Sequence, residues 1–178
     1  MQNSSTPADV ALGAEVVFIC VGDTPDVAEV LFGRNGIASG IAADSLVIDC
    51  TTISPEAEEE YEKKLSVRGV RYLDAPLTGG QKGAIDGTLT FMVGGTAENI
   101  ERARPYFMAM GKKVVHAGPA GHGQRLKAVN QLVCAIHLLA LGEGLAFARE
   151  SGLDLASVRE VLISGAARSW ALEVYGEK

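Results

Sequence analysis

The chain has 178 residues, of which 47% are hydrophobic and 21% charged, and a formal net charge of −6. That is the balance of an ordinary globular chain, long enough for one domain or one domain plus part of another. The acidic balance, with no basic run, argues against nucleic-acid binding and against docking on an anionic membrane surface.

In chain order, Ser5-Thr-Pro-Ala-Asp-Val-Ala-Leu12 predicts a helix start, with a hydroxyl cap, a first-turn proline and an acid. Glu15 to Val21 is a near-continuous apolar run before Gly22-Asp23-Thr24-Pro25, the pattern of a buried parallel strand. A helix follows from Thr24 through Leu31, then a loop punctuated by Gly33, Gly36 and Gly40. Ser45 to Cys50 is a second buried strand, ending in Thr51-Thr52. Ser54-Pro55-Glu56 opens a helix to about Val67, and the acidic run Glu56 to Glu60 is expected to be its exposed, dipole-favoured start. Strands follow at Arg71 to Ala75 and Leu89 to Gly94, a helix capped by Thr96 runs to about Met110, and Lys113 to His116 is a short last strand. Strand and helix alternate at βαβ spacing, which predicts an α/β fold with a doubly wound parallel sheet and ligands at the carboxyl ends of its strands.

After Gly118-Pro-Ala-Gly-His-Gly123 the pattern changes. Gln124 to about Ser151 reads as one long helix, apolar over most of its circumference from Leu126 to Leu141, and so as a core helix. Its unbroken apolar stretch, Leu132 to Leu141, contains His137 and is too short to span a membrane. Asp154 to Leu162 is a further short helix. The boundary falls near Gly121–Gly123, giving units 1–121 and 122–178, the second all-helical. No signal-peptide pattern opens the chain. Cys20, Cys50 and Cys134 make no metal-ligand spacing; Cys20 and Cys50 are expected as small core residues, and the reducing cytoplasm as the compartment.

Two stretches carry chemistry. Asp74-Ala-Pro-Leu-Thr-Gly-Gly80 ends a strand at a proline, then offers the Thr78 hydroxyl beside Gly79 and Gly80. Consecutive backbone N–H groups beside a hydroxyl suit a carboxylate; a plain strand-to-helix turn would use the same residues. Lys127, Asn130 and Gln131 stand at i, i+3 and i+4, on one face of an otherwise apolar helix. A lysine there is either snorkelling or poised at a cavity as a proton donor or acceptor. His122 stands near Lys127 in sequence and is a further candidate for the site lining. A strand followed by G-x-G-x-x-G, the phosphate-binding turn of a complete dinucleotide-binding domain, is absent from the sequence.

These stretches, with Gly87-Thr-Leu-Thr-Phe-Met-Val-Gly-Gly95 and Gly121-His-Gly-Gln-Arg-Leu-Lys-Ala-Val-Asn130, resemble the β-hydroxyacid dehydrogenase family. That family includes 3-hydroxyisobutyrate dehydrogenase and tartronate semialdehyde reductase, with 6-phosphogluconate dehydrogenase a more distant relative. The resemblance covers Ala8 to Gly176. It implies a partial Rossmann-type domain, lacking the family's first βαβ units, followed by the start of an all-helical domain. It implies NAD or NADP as cofactor, a small hydroxyacid or semialdehyde as substrate, and a homo-oligomer. Lys127 matches the family's catalytic general acid/base. Thr78, Gly79 and Gly80 match its substrate-carboxylate loop, and Asn130 and Gln131 its substrate-orienting positions. Val21, Gly22, Asp26 and Thr52 match cofactor-side positions. No metal is implied. Thr78 stands where serine is usual and Gly22 where proline is frequent, which bears on the identity of the substrate. An imine reductase of the same superfamily would carry a different group at position 127. A catalytically silent relative would be expected to lose that lysine or the loop. Without the glycine-rich turn the chain by itself is expected to bind NAD(H) or NADP(H) poorly.

Overall fold

A computed structural model describes residues 4–176, which divide into two compact units between Lys127 and Ala128. The first unit opens with α1 (Pro7–Ala11), capped by the Thr6 hydroxyl, and β1 (Val16–Ile19). It continues through α2 (Thr24–Phe32), α3 (Ile37–Gly40), β2 (Leu46–Asp49) and α4 (Pro55–Ser66). Next come β3 (Arg71–Asp74), β4 (Leu77–Thr78), α5 (Gly80–Ile85), β5 (Leu89–Gly94), α6 (Ala97–Met110) and β6 (Gly111–Gly118). The signals read from the sequence act as expected at several ends. Ser54 caps α4 with Pro55 in its first turn, and the Thr96 hydroxyl caps α6.

β1, β2 and β3 are parallel neighbours, with Val17 opposite Val47 and Val47 opposite Tyr72. β5 reverses direction. It runs antiparallel to β3 and β4, and β6 is parallel to β5. The parallel expectation thus holds for β1–β3 and within β5–β6, but not between the two sets. The reason is local: the β3–β5 connection holds only the two-residue β4 and the six-residue α5, too little for a full crossover helix. α3 likewise falls where the sequence predicts a loop.

Hydrophobic layers cover both faces of the sheet. Val17, Ile19, Val47 and Tyr72 pack with Leu31, Tyr61 and Leu65 on one side. Leu46, Ile48, Leu73 and Phe91 pack with Ile100, Ala103 and Phe107 on the other. β1 is less buried than expected. It lies at the end of the strand order, so Val17 and Ile19 are buried while Phe18 is 38% exposed and Cys20 is exposed. Cys20 is therefore not a core residue.

The long helix α7 (His122–Glu150) begins in the first unit and extends into the second, where α8 (Leu155–Ser164) and α9 (Trp170–Tyr175) follow. α7 is not a buried core helix here: Val129, Leu132, Val133, Ile136, Leu138 and Leu139 are all exposed. By length and composition α7 is also apolar enough to cross a membrane. The expectation of a run too short to span a membrane rests on Leu132 to Leu141 alone, whereas the whole helix averages its few polar residues against many apolar ones.

Candidate active site

The carboxyl ends of β1, β2 and β3 lie side by side because the three strands are parallel and in register. Val21-Gly22, Thr51-Thr52 and Asp74 to Pro76 therefore share one edge of the sheet. At this edge the Thr51 hydroxyl accepts the Val21 N–H at 3.1 Å, and Asp49 Oδ1 accepts the Thr51 N–H at 2.8 Å. Thr51 is buried in this role, which leaves its neighbour Thr52 exposed at the strand end. Val21 is 38% exposed and Gly22 is exposed. Asp26 turns back to its own helix, where Oδ2 accepts the Asp23 N–H at 3.2 Å in a capping box.

Asp74, first residue of the candidate loop, has a structural task. Its Oδ1 accepts the Gly121 N–H at 2.8 Å and its Oδ2 the Gln124 N–H at 3.0 Å. A buried carboxylate thereby caps the first turn of α7, meeting both its free N–H groups and its dipole. Burial raises the Asp74 pKa, and these N–H bonds oppose the rise. The approach leaves no room at Gly123. A side chain there would begin 2.5 Å from Met92 O and 2.6 Å from Asp74 Oδ2.

The cap sets where Lys127 goes. One turn along α7, its ammonium donates to Leu77 O at 2.9 Å, and the residue is 9% exposed. Leu77 immediately precedes Thr78. Thr78 itself pairs with Thr90 of β5. Gly79 has φ 131° and starts α5, so Gly79 and Gly80 present N–H groups where no intrahelical acceptor exists. Lys127 and the Thr78–Gly80 loop are thus adjacent within the first unit. Asn130 and Gln131 fall on the part of α7 that belongs to the second unit.

Behind the strand ends lies a group of residues that the sequence reading did not single out. Glu58 is wholly buried, although it sits in the run expected to be exposed. Its Oε2 lies 2.5 Å from the Tyr72 hydroxyl, and its Oε1 accepts from Gln124 Nε2 at 2.6 Å. Gln124 Nε2 also donates to Thr51 O at 2.7 Å, and Gln124 Oε1 accepts the Ile53 N–H at 3.3 Å. Burial, with Asp49 nearby, pushes the Glu58 carboxyl up to about 9; burial pushes Asp49 up to about 6. The signal was present in the spacing: Glu58, Tyr61 and Leu65 form one helical stripe, and all three are buried.

His116 and His122 line one cavity, whose lining does not include Lys127. His116 Nε2 sits 3.0 Å from Gly95 O and 3.1 Å from Gly118 O. His122 lines this cavity, of about 570 Å³, with Tyr72, Thr96 and Pro119. Lys82 is exposed and pairs with Asp86 at 2.6 Å. Trp170 packs edge-on against Tyr175 in the second unit. Among the described residues no cluster of three or more His, Cys, Asp or Glu could hold a metal ion.

Residues 1–118 match the NAD binding domain of 6-phosphogluconate dehydrogenase. Residues 121–178 match the NAD-binding region of NADP-dependent 3-hydroxyisobutyrate dehydrogenase. The chain belongs to the β-hydroxyacid dehydrogenase family. Members of this family are NAD- or NADP-dependent oxidoreductases. Among its relatives, 2-hydroxy-3-oxopropionate reductase of Escherichia coli is 40% identical over 97% of this chain and 59% of its own length. A 3-hydroxyisobutyrate dehydrogenase of Pseudomonas aeruginosa is 37% identical over 98% of this chain and 60% of its own. The structure of Mycobacterium tuberculosis 3-hydroxyisobutyrate dehydrogenase with L-serine superposes at TM-score 0.85 with 31% identity, covering 96% of this chain and 58% of that one. The chain thus spans less than two thirds of the length of these relatives.

Proposed function

We propose that this protein interconverts a small β-hydroxyacid and its semialdehyde or keto form, with Lys127 as general acid/base and NAD or NADP as cofactor. The observation that carries this reading is the seat of Lys127: a lysine 9% exposed, tied to Leu77 O at 2.9 Å, immediately before the Thr78–Gly80 loop. Thr78, Gly79 and Gly80 bind the substrate carboxylate through the hydroxyl and backbone N–H groups. In reduction the Lys127 ammonium gives a proton to the carbonyl oxygen; in oxidation the neutral amine takes the hydroxyl proton. Leu77 O orients the amine for both directions. Asn130 and Gln131 orient the substrate from the following turn of α7.

On the cofactor side, Val21, Gly22 and Thr52 are exposed at adjacent strand ends, which suits a nucleotide laid across the sheet edge. Asp26 lines that side indirectly, since its carboxylate closes the cap of α2 beside Gly22. The nicotinamide, when bound, supplies or accepts the hydride. We place the domain boundary at 121/122 and the protein in the cytoplasm. The exposed apolar face of α7 supports a homo-oligomer built through the helical part.

Turnover of 2-hydroxy-3-oxopropionate and related semialdehydes with NADH and NADPH, by a chain that carries this sequence together with a glycine-rich phosphate-binding turn, tests the reading, beside calorimetry of cofactor binding; this chain by itself is expected to bind either cofactor poorly. Lys127→Ala is expected to lower kcat by about 10²–10⁴ while cofactor affinity stays within a few-fold. Retained turnover in that variant removes Lys127 from the mechanism. An absence of turnover with every semialdehyde and both cofactors rejects the activity.

A further inference from the structure

The buried acids behind the strand ends have a proton to place. Asp49, Glu58 and Asp74 are each 0% exposed, and Tyr72 and Gln124 among them are 2% exposed. Gln124 is fully committed: its two amide hydrogens go to Thr51 O and Glu58 Oε1, and its carbonyl oxygen accepts from Ile53 N. Flipping that amide would set its oxygen against two other oxygens, so its orientation is determined. Glu58 Oε1 is therefore an acceptor. Any proton on Glu58 lies on Oε2, the oxygen 2.5 Å from the Tyr72 hydroxyl.

Asp49 gives the second constraint. Its Oδ1 accepts from Thr51, while its Oδ2 is buried with no hydrogen-bond partner among the described residues. If Glu58 is ionised, the group holds three buried carboxyls of one sign, Asp49, Glu58 and Asp74, with no cation among the groups that bear on Glu58. If Glu58 carries the proton, it donates from Oε2 to the Tyr72 oxygen and one of those charges is removed.

Charge favours the same arrangement. The charged groups that bear on Glu58 are Asp49 of β2 and Asp74 of β3, both of its own sign; Tyr72 and Gln124 face it as hydrogen-bonding groups. Cys50 and Tyr61 also sense Glu58.

We propose that Glu58 is a positioning residue held as the neutral acid, its proton on Oε2 given to the Tyr72 oxygen while Oε1 accepts from Gln124. This arrangement fixes Gln124 as the brace between the β2 strand end, at Thr51 and Ile53, and the first turn of α7. Gln124 stands one turn before Lys127 on the same helical face, so the brace also orients Lys127; this last link alone rests on the function proposed above.

The test uses the whole chain and reads no turnover, so its failure is distinct from failure of the proposed activity. Infrared difference spectroscopy at pH 7 between wild type and Glu58→Gln is expected to show a protonated-carboxyl carbonyl band in wild type only. No such band overturns the proposal. Glutamine can accept from Gln124 and donate to Tyr72 as the neutral acid does, so Glu58→Gln is expected to fold normally at pH 7; an unfolded variant would mean that the carboxylate is required.

Urea unfolding from pH 6.5 to 8.5 supplies an independent reading. The acid has a raised folded pKa, so the folded state binds the extra proton across this window and loses relative stability as pH rises. The unfolding equilibrium constant of wild type is expected to rise by up to about tenfold per pH unit relative to Glu58→Gln. Parallel curves for the two proteins overturn the proposal. Finally, the Gln124 side-chain amide hydrogens are expected to exchange at least roughly tenfold more slowly than those of exposed Gln131 in both proteins. Equal rates would remove the brace.

Discussion

The backbone N–H of Gly121 lies 2.8 Å from Oδ1 of Asp74, a contact across 47 residues of chain. It joins the start of the candidate substrate loop to the helix that carries Lys127. Asp74 therefore belongs to the site as its anchor rather than as a ligand. Because Gln124 N–H takes the second oxygen at 3.0 Å, both position and tilt of the first turn of α7 follow from one carboxylate.

Removing that anchor should be costly. Asp74→Ala leaves the Gly121 and Gln124 N–H groups buried without their acceptor, and about 2–4 kcal/mol of stability is expected to be lost. Chemical denaturation of the variant and wild type measures this directly. A change within 0.5 kcal/mol or so would mean that water replaces the carboxylate.

Gly123→Ala should damage the same junction by a different route. The added methyl would meet Met92 O at 2.5 Å and Asp74 Oδ2 at 2.6 Å, both held in place by the sheet and the cap. Displacement of the first turn of α7 is expected, with a loss of about 1–3 kcal/mol. A melting temperature equal to wild type would show that α7 shifts without penalty.

The cysteines should separate by reactivity. Burial pushes the Cys50 thiol up to about 12, while Cys20 is exposed at the outer strand. The thiolate is the reactive form, so iodoacetamide at pH 8 should label Cys20 in the folded protein and Cys50 only after unfolding. Peptide mass spectrometry of the timed reaction reads the order. Labelling of Cys50 at the rate of Cys20 would contradict the burial.

The apolar face of α7 makes a prediction about association. Leu132 is 66% and Leu139 62% exposed. If this face joins copies of the chain, Leu132→Lys with Leu139→Lys should shift sedimentation toward the monomer with the helix content retained. An unchanged sedimentation coefficient would place any association elsewhere.

The sequence by itself determined the alternation of strands and helices in the first unit, because those signals are local. The Thr6, Ser54 and Thr96 caps, the prolines Pro7 and Pro55, and the apolar runs of β2 and β5 act within a few residues of themselves. The motifs around Thr78–Gly80 and Lys127 were legible for the same reason, as combinations of residue types at fixed spacing. Tertiary structure decided what those residues meet. The helical stripe with Tyr61 and Leu65 sets Glu58 apart from the other acids of the run Glu56 to Glu60, but what meets its carboxyl was decided only when β3 placed the Tyr72 hydroxyl 2.5 Å away. The reversal of β5, the outer position of β1 and the exposure of α7 likewise depend on which element lies alongside. The same holds for Asp74: its place at the end of a strand was readable, but its two acceptors found their purpose only when the start of α7, nearly fifty residues on, closed over them. Hydrogen bonding and burial over such separations are properties of the packed molecule, and no local pattern encodes them.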